Sequence, residues 1–395
     1  MKNTQPHKID IVVKYFYPVT AGIETNIMET YRFLVENGWD VTLHTSKDTY
    51  GEKDSLPDTD LVKGIKVKRY SFGSLGYWPN IDWDTAEVVC LHNFDMFPHM
   101  QILIYSLIRK LIGKKKYALF VTPHGGYNPE WSIYSKIQEI IKKSYNYTLG
   151  TFLMNFAADG VRAVSQWEKN EMTLHLIRDK QVEVISNGIE NEAYEDIDIV
   201  ASADIKKTVK NLGRYILQIG RVYGIKNYET TIRALPLIDK DITFVILGPI
   251  ADQKYYESLQ KLAEECGVED RVKFLGVIRG IDKYYLIRHA QLMVHMAIWE
   301  SFCNAVHEGM SQGLVCIVAN NTALPFLIKD QVNGYCVETH NSNLLAEKIM
   351  YVIHNENTKE IKEIKARNKE FGLKHSWKGV SEMMDSFYKR VYSKI

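Results

Sequence analysis

Two doubly wound α/β domains in tandem are the fold this sequence predicts, and three observations carry that expectation. Short runs rich in Val and Ile alternate with segments of helical period, the pattern of parallel strands covered by helices on both faces. The alternation lapses over an acidic stretch, 190–207, and then starts again. The length of 395 residues suits two or three domains. With 46% apolar and 25% charged residues, each domain has material for a sizeable core.

In the first half the strand candidates are 9–13, 41–45, 65–70, 87–91, 117–122, 160–164 and 182–185. Helix candidates lie between them, such as 24–37, where Ile27, Tyr31 and Leu34 recur at helical spacing and Gly38 supplies a stop. Glu190, Glu192, Glu195, Asp196, Asp198 and Asp204 give 190–207 the look of a solvated connector. The second series of strands is 215–219, 242–247, 272–275, 292–296, 315–318 and 335–337. The tail places Val380, Met383, Met384, Phe387 and Val391 on one helical face, which predicts packing back across the first domain. The domains are therefore expected at 1–200, with helix 377–395 packed on it, and at 208–376. No repeat of 20 to 50 residues interrupts this reading.

Forty-nine Lys and Arg against 48 Asp and Glu leave a net charge of +1, so no global field favours nucleic acid, and none is expected as a partner. Five cysteines without a C-x-x-C pair argue against a disulfide framework or a zinc ribbon and fit reduced cytosolic thiols. The start, 1–8, is polar and runs straight into a strand, so no export signal is read there. No apolar run approaches the roughly 18 residues of a spanning helix. A cytoplasmic location is the expectation, at most peripheral to the inner face of a membrane.

Ligands of open α/β sheets bind beyond the C-terminal ends of the strands, so two such domains predict a site in a cleft that both face. Neither G-x-G-x-x-G nor G-x-x-x-x-G-K-[ST] occurs, which weakens dinucleotide and P-loop readings. After the strand near Met296 comes Trp299-Glu300-Ser301-Phe302-Cys303-Asn304-Ala305-Val306-His307-Glu308. On a helix, carboxylates eight residues apart stand about 12 Å apart along the axis, the reach of a sugar nucleotide from hexose to ribose. A cap by Ser301 or Asn304 would aim free N–H groups at a diphosphate between them. The same spacing also fits two ordinary helix carboxylates. Gly220-Arg221-Val222-Tyr223-Gly224-Ile225-Lys226-Asn227 sits at another strand end, and its Arg221 and Lys226 suit a diphosphate, although each alone fits a solvated surface.

Taken in order, these motifs resemble the retaining glycosyltransferases of family 4, of GT-B fold, over nearly the whole chain. Glu300 and Glu308 followed by Gly309-Met310-Ser311-Gln312-Gly313 are similar to the family's donor motif, and Gly220-Arg221 with Lys226 to its diphosphate clamp. Tyr17-Pro18-Val19-Thr20-Ala21-Gly22-Ile23-Glu24 resembles the N-terminal glycine loop, and Val184-Ile185-Ser186-Asn187-Gly188-Ile189-Glu190 the segment closing the first domain. Ala163-Val164-Ser165 and Ser376-Trp377 fall where similar family elements fall.

The resemblance implies that Glu300 binds hydroxyls of the transferred sugar and Glu308 the ribose diol. It implies that Arg221 and Lys226 neutralise the departing diphosphate, so that no metal or cofactor is expected. Gly22, Ser301, Phe302 and Asn304 complete the implied donor site, with the Gly22 backbone close to phosphate. His124, in Thr122-Pro123-His124-Gly125-Gly126, is implied beside the reacting sugar, although its position alone equally suits a histidine bonded within a tight Gly-Gly loop. Several residues depart from the family pattern: Ala21, Glu190, Cys303, and Thr322-Ala323-Leu324-Pro325-Phe326, where two glycines and Pro-Glu are usual. No role carries over to Thr322, Ala323, Phe326 or Cys303.

The expected reaction moves a hexosyl group from a UDP- or GDP-sugar to a hydroxyl of a saccharide or lipid-linked acceptor, in cell-surface polysaccharide or glycoconjugate synthesis. A nucleotide-sugar epimerase of the same fold and an inactive donor-binding scaffold are the alternatives. Residues 101–150 hold eight Lys and Arg against two Glu, a local charge of +6. Ile104, Leu107, Ile108 and Leu111 precede a lysine run, so the segment 104–116 is a candidate membrane contact, or else a core-facing helix with a solvated loop. Tyr77, Trp78, Trp83, Tyr127 and Trp131 are loop aromatics that suit either stacking on an acceptor or plugging a wall.

Overall fold

The computed structural model describes residues 7–19, 21–49, 51–94 and 96–395, so Thr20 of the glycine loop lies outside the described residues. The chain divides into two compact units, one of residues 1–188 with 377–395 and one of 189–376.

The first unit is built on strands β1 (Lys8–Val12), β2 (Asp40–Ser46), β3 (Thr59–Val62), β4 (Ile65–Tyr70), β5 (Val88–His92), β6 (Ala118–Thr122), β7 (Gly160–Ala163) and β8 (Val182–Val184). Helices α1 (Gly22–Glu36), α2 (His99–Leu111), α3 (Lys136–Tyr145), α4 (Thr151–Phe156) and α5 (Gln166–Leu174) connect them. The sheet order is β3-β4-β2-β1-β5-β6-β7-β8, parallel except where β3 pairs with β4. Ile11 of β1 lies between Leu43 of β2 and Cys90 of β5. Sheet order reverses at β1 and β5, which opens a crevice at their C-terminal ends.

The second unit carries six parallel strands in the order β11-β10-β9-β12-β13-β14. They are β9 (Arg214–Ile219), β10 (Ile242–Leu247), β11 (Val272–Phe274), β12 (Leu292–His295), β13 (Cys316–Ala319) and β14 (Gly334–Val337). Its helices are α6 (Ile197–Val200), α7 (Ala203–Leu212), α8 (Tyr228–Ala234), α9 (Gln253–Glu265), α10 (Gly280–Arg288), α11 (Asn304–Ser311), α12 (Leu324–Leu327), α13 (Ser342–His354) and α14 (Lys359–Lys374). Here the reversal falls between β9 and β12, so residues following those two strands share one edge.

The last helix, α15 (Trp377–Tyr392), belongs to the first unit, where Trp377, Val380, Met384, Phe387 and Tyr388 enter the core beside α1 and β6. Phe120 of β6 meets the rings of both Phe387 and Tyr388 edge-on. Met383, expected on this face, is exposed instead. Gly188 has no room for a side chain, because a Cβ there would lie 2.6 Å from the Trp377 nitrogen.

Two expectations need correction. The stretch 190–207 is not a solvated connector: Ala193, Ile197, Ala201 and Ile205, spaced by four, are buried in the second unit's core. Asp198 of α6 and Asp204 of α7 are exposed, and the acidic composition hid an apolar stripe. The division therefore falls at Gly188, ahead of the expected 200–208. The antiparallel edge strand β3 was also unforeseen, since three of its four residues are exposed and it has no apolar run.

Candidate functional site

In the second unit, Gly220, Arg221 and Lys226 follow β9 and Glu300 follows β12, so the topology brings the two motifs to one sheet edge. Lys226 Nζ donates to Glu300 Oε1 at 2.5 Å, and His295 Nε2 lies 2.8 Å from the same oxygen. Burial alone would raise the Glu300 carboxyl, but the Lys226 ammonium and the His295 bond together hold it at about 2. Burial would likewise lower Lys226, and Glu300 holds it above its ordinary range. The Lys226 ammonium and His295 both meet Oε1 of Glu300 and favour its ionised form. Gly220 allows this packing, since a Cβ there would lie 3.2 Å from both Lys226 Cε and the Tyr228 hydroxyl. Arg221 is exposed, its guanidinium carbon 5.0 Å from the Tyr223 ring centre.

Glu300 and Glu308 do not share a helix. Glu300 lies in the loop before α11 and Glu308 within it, so the 12 Å helical spacing does not apply. Neither Ser301 nor Asn304 is the N-cap: Cys303 is, at φ 82°, without a side-chain cap bond. That left-handed conformation explains why glycine suits the position. Burial pushes the Cys303 thiol well above its usual range. Phe302 turns inward, its ring edge-on to His307 at 5.5 Å, so only its backbone is available to a ligand on the opposite side.

Glu308 is held by a residue that sequence reasoning missed. Lys283 of α10 places Nζ 3.2 Å from Glu308 Oε1 and 2.7 Å from Glu190 Oε2. Burial raises the Glu308 carboxyl, Lys283 counters it, and Glu190 adds to the rise. A lysine in a helix of mixed character gives no motif, so nothing in the sequence singles it out. Thr322, to which no role was carried over, accepts from the Glu300 N–H at 3.1 Å, and the Ala323 N–H donates to the Glu300 carbonyl at 3.2 Å. Together they bracket the Glu300 backbone. Phe326 is exposed and touches none of this.

Among the described residues, His295, Glu300 and Cys303 offer ligand atoms within 4.8 Å of one another. The Lys226 ammonium already occupies the same Glu300 oxygen, and its charge opposes a cation there.

In the first unit, Gly22 opens α1 after β1, and a Cβ at Gly22 would meet nothing within 4 Å. The space in front of this helix start is open, and the Glu24 carboxylate accepts from the Ala21 N–H at 3.0 Å, half of a capping box. His124 follows β6 at φ 51°, with its Nε2 2.8 Å from His92 Nδ1. His92 Nε2 lies 2.7 Å from the Tyr31 hydroxyl, which lies 2.7 Å from that of Tyr388 on α15. Burial, and then the nearby Arg162 charge, hold His124 well below the usual histidine range, so the ring is neutral near pH 7. His124 is thus held by His92 in the loop that follows β6.

Glu168 locks that loop. It accepts from the Gly125 N–H and, at 2.7 Å, from the Val164 N–H. Burial raises its carboxyl to about 7 against those two bonds. Ser165-x-x-Glu168 at the start of α5 is a capping signature that could have flagged it. The buried Arg162 donates to the carbonyls of Ile185 and Ser186 and to Asn26 Oδ1, tying the closing segment to α1. Tyr77 and Tyr127 are buried and hydrogen-bonded within the core, so neither offers a stacking face; Trp78 is exposed and Trp83 and Trp131 are half-buried.

Family models match both halves of the chain, Glycosyltransferase Family 4 over residues 20–193 and Glycosyl transferases group 1 over residues 202–370. An uncharacterized glycosyltransferase of Methanocaldococcus jannaschii is 27% identical over 60% of this chain, which spans 62% of that relative. The GDP-mannose:cellobiosyl-diphosphopolyprenol alpha-mannosyltransferase of Komagataeibacter xylinus is 21% identical over 97% of this chain and 93% of its own. The Anabaena protein HepE, solved in complex with UDP and glucose, superposes with a TM-score of 0.74 at 19% identity, covering 97% of this chain and 100% of that one. The two parallel-dominated α/β sheets match the architecture of these GT-B structures.

Proposed function

The chain belongs to the glycosyltransferases, of GT-B type with sugar-nucleotide donor binding, and from that premise we propose that it is a retaining, metal-independent hexosyltransferase. The observation that carries this reading is the buried Lys226–Glu300–His295 cluster at the β9 and β12 ends. Glu300 is positioned to accept sugar hydroxyls, and Glu308, charged by Lys283, to accept both hydroxyls of a ribose. Arg221 and Lys226 supply the positive charge that a leaving diphosphate needs, the task a divalent ion performs elsewhere. Departure of diphosphate leaves an oxocarbenium-like sugar. Retention requires the acceptor oxygen to enter on the face the diphosphate leaves, so the departing phosphate oxygen is the nearest base for the acceptor proton.

UDP- or GDP-hexose is the donor class of this reading, supported by the UDP and GDP-mannose named for the relatives. A saccharide or lipid-linked acceptor, and with it a contact between residues 104–116 and the inner face of a membrane, completes it. The departures from the family pattern at 322–326 do not favour an inactive scaffold, because Thr322 and Ala323 hold the Glu300 backbone.

Calorimetric titration without divalent metal, using UDP, GDP, ADP and their sugar conjugates, tests the donor site. Micromolar binding of one nucleotide, lost in Glu308→Ala and Arg221→Ala, is expected. Unchanged binding in both variants would refute the assignment. The anomeric configuration of the product, read by NMR, tests retention, and sugar released or epimerised without acceptor would favour the epimerase instead.

A further inference from the structure

The exposed apolar side chains of the first unit are concentrated on three neighbouring helices. On α3, Ile137, Ile140 and Ile141 are 73%, 68% and 52% exposed, and Ile133 just before it is also exposed. Two of the three lysines of the same helix, Lys142 and Lys143, are folded back against aromatic rings. Lys143 Nζ stands 5.0 Å from the Trp131 ring centre and Lys142 Nζ 5.2 Å from that of Tyr134, and both residues are half-buried. A helix in water normally does the reverse. The exposed row continues through Leu149 and then Phe152 and Phe156 of α4. It is joined by Ile104, Ile108 and Leu111 of α2, whose Lys110 reaches the Phe156 carbonyl.

Contiguous apolar surface of this kind marks a docking face. The charge around it selects the partner: Arg109, Lys110, Lys115 and Lys143 are paired with carboxylates, while Lys114, Lys116 and Lys136 are exposed beside the apolar row. Outward isoleucine and phenylalanine, with the exposed Lys114, Lys116 and Lys136 in the same segments, suit acyl chains beneath anionic headgroups. The position is also informative: Ile133 comes nine residues after His124, in the segment that leaves the β6 end.

We propose that α3, α4 and the outer face of α2 form a monotopic docking surface for an anionic lipid bilayer, with Ile137, Ile140 and Ile141 as the inserting residues. This rests on the lipid-linked acceptor reading for its purpose and relocates the contact from the lysine run at 104–116 to the isoleucine face of α3. A membrane-borne acceptor would then present its headgroup beside the His124 loop.

Co-sedimentation with vesicles of phosphatidylglycerol and phosphatidylcholine, against phosphatidylcholine alone, tests it. The wild-type chain is expected to bind the anionic vesicles and to release as salt is raised. Ile137→Glu/Ile141→Glu should weaken binding at least ten-fold, while Ile199→Glu, at an exposed apolar position of the second unit, should leave it unchanged. Nucleotide titration of the same variants reports folding and donor binding separately, so failure of the docking surface leaves the donor site standing. No vesicle binding by the wild type, or equal binding by the double variant, overturns the proposal. So does a wild-type dimer in solution that the double variant converts to monomer, which would make a second copy the occupant.

Discussion

Replacing Lys283 by methionine removes the ammonium that bridges Glu190 and Glu308 while keeping most of the side-chain volume. Nζ is 2.7 Å from one carboxylate and 3.2 Å from the other, and only 12% of the lysine side chain is exposed. At such separations each attraction is worth about 5 kcal/mol with an effective dielectric constant near 20. Much of this is offset when the stranded Glu308 takes up a proton, and breaking a buried pair from one side costs about 3–5 kcal/mol. Taking about 3 kcal/mol, and about 2–4 °C per kcal/mol for a unit of this size, the melting temperature should fall by about 6–12 °C. Burial already holds the Glu308 carboxyl above its usual range, and losing Lys283 raises it further. The folded variant therefore binds that proton more tightly than the unfolded chain does, so its stability deficit grows as pH rises through the carboxylate range. On the proposed reading the ionised form of Glu308 binds ribose, so nucleotide affinity in the variant should be roughly ten-fold or more below wild type at pH 6, with a smaller deficit at pH 8.5. Thermal melts and calorimetry at both pH values measure this. Wild-type melting and affinity at both would refute the reasoning; a loss independent of pH would reduce Lys283 to a packing role.

Three further outcomes are expected. Thr322→Val strips the acceptor from the Glu300 N–H and should cost about 1–2 kcal/mol, with Thr322→Ser close to wild type; denaturant titration of both variants checks it. Glu168 has a folded-state carboxyl raised to about 7, so its ionisation weakens the native state as pH rises from about 4.5 towards 7. Glu168→Gln should flatten that part of the stability profile, while the lost acceptor lowers stability overall by about 1–3 kcal/mol. Glu300, held at about 2, contributes stability present above the ordinary carboxylate range and lost as pH falls through that range towards 2. Glu300→Gln should thus differ most from wild type near neutral pH and converge in acid, and its turnover should fall at every pH assayed.

The parts of the fold legible in the sequence are those fixed by burial on both faces. Strands such as β5 and β10 are dominated by Val, Ile and Leu because helices cover both sides of a parallel sheet, and their limits are read to within a residue. Strand β3 has no such run; its signal was the turn that follows it, Lys63-Gly64, where φ of 47° and 83° marks a tight hairpin into β4. At 190–207, charge masked a stripe spaced by four that only the second unit's core makes visible.

The same division runs through the candidate site. Arg221, Lys226 and Glu300 stand in the loops that follow β9 and β12, and Glu308 in the helix α11 that the β12 loop enters, so each belongs to a local motif. Lys283 and Thr322 act on Glu308 and Glu300 from other elements, and Glu168 and His92 on the His124 loop, through polar contacts whose geometry depends on the whole unit. Their partners set the properties that chemistry uses: whether Glu308 is charged, where the Glu300 backbone lies, and how the His124 loop is held. A carboxylate in a motif is only a candidate acceptor until its counter-charge is known. For Glu308 that counter-charge comes from α10 and is shared with Glu190, a residue the sequence placed in the other domain. Donor affinity should therefore respond to a change at Glu190, which belongs to no donor motif, and should respond through the ionisation of Glu308.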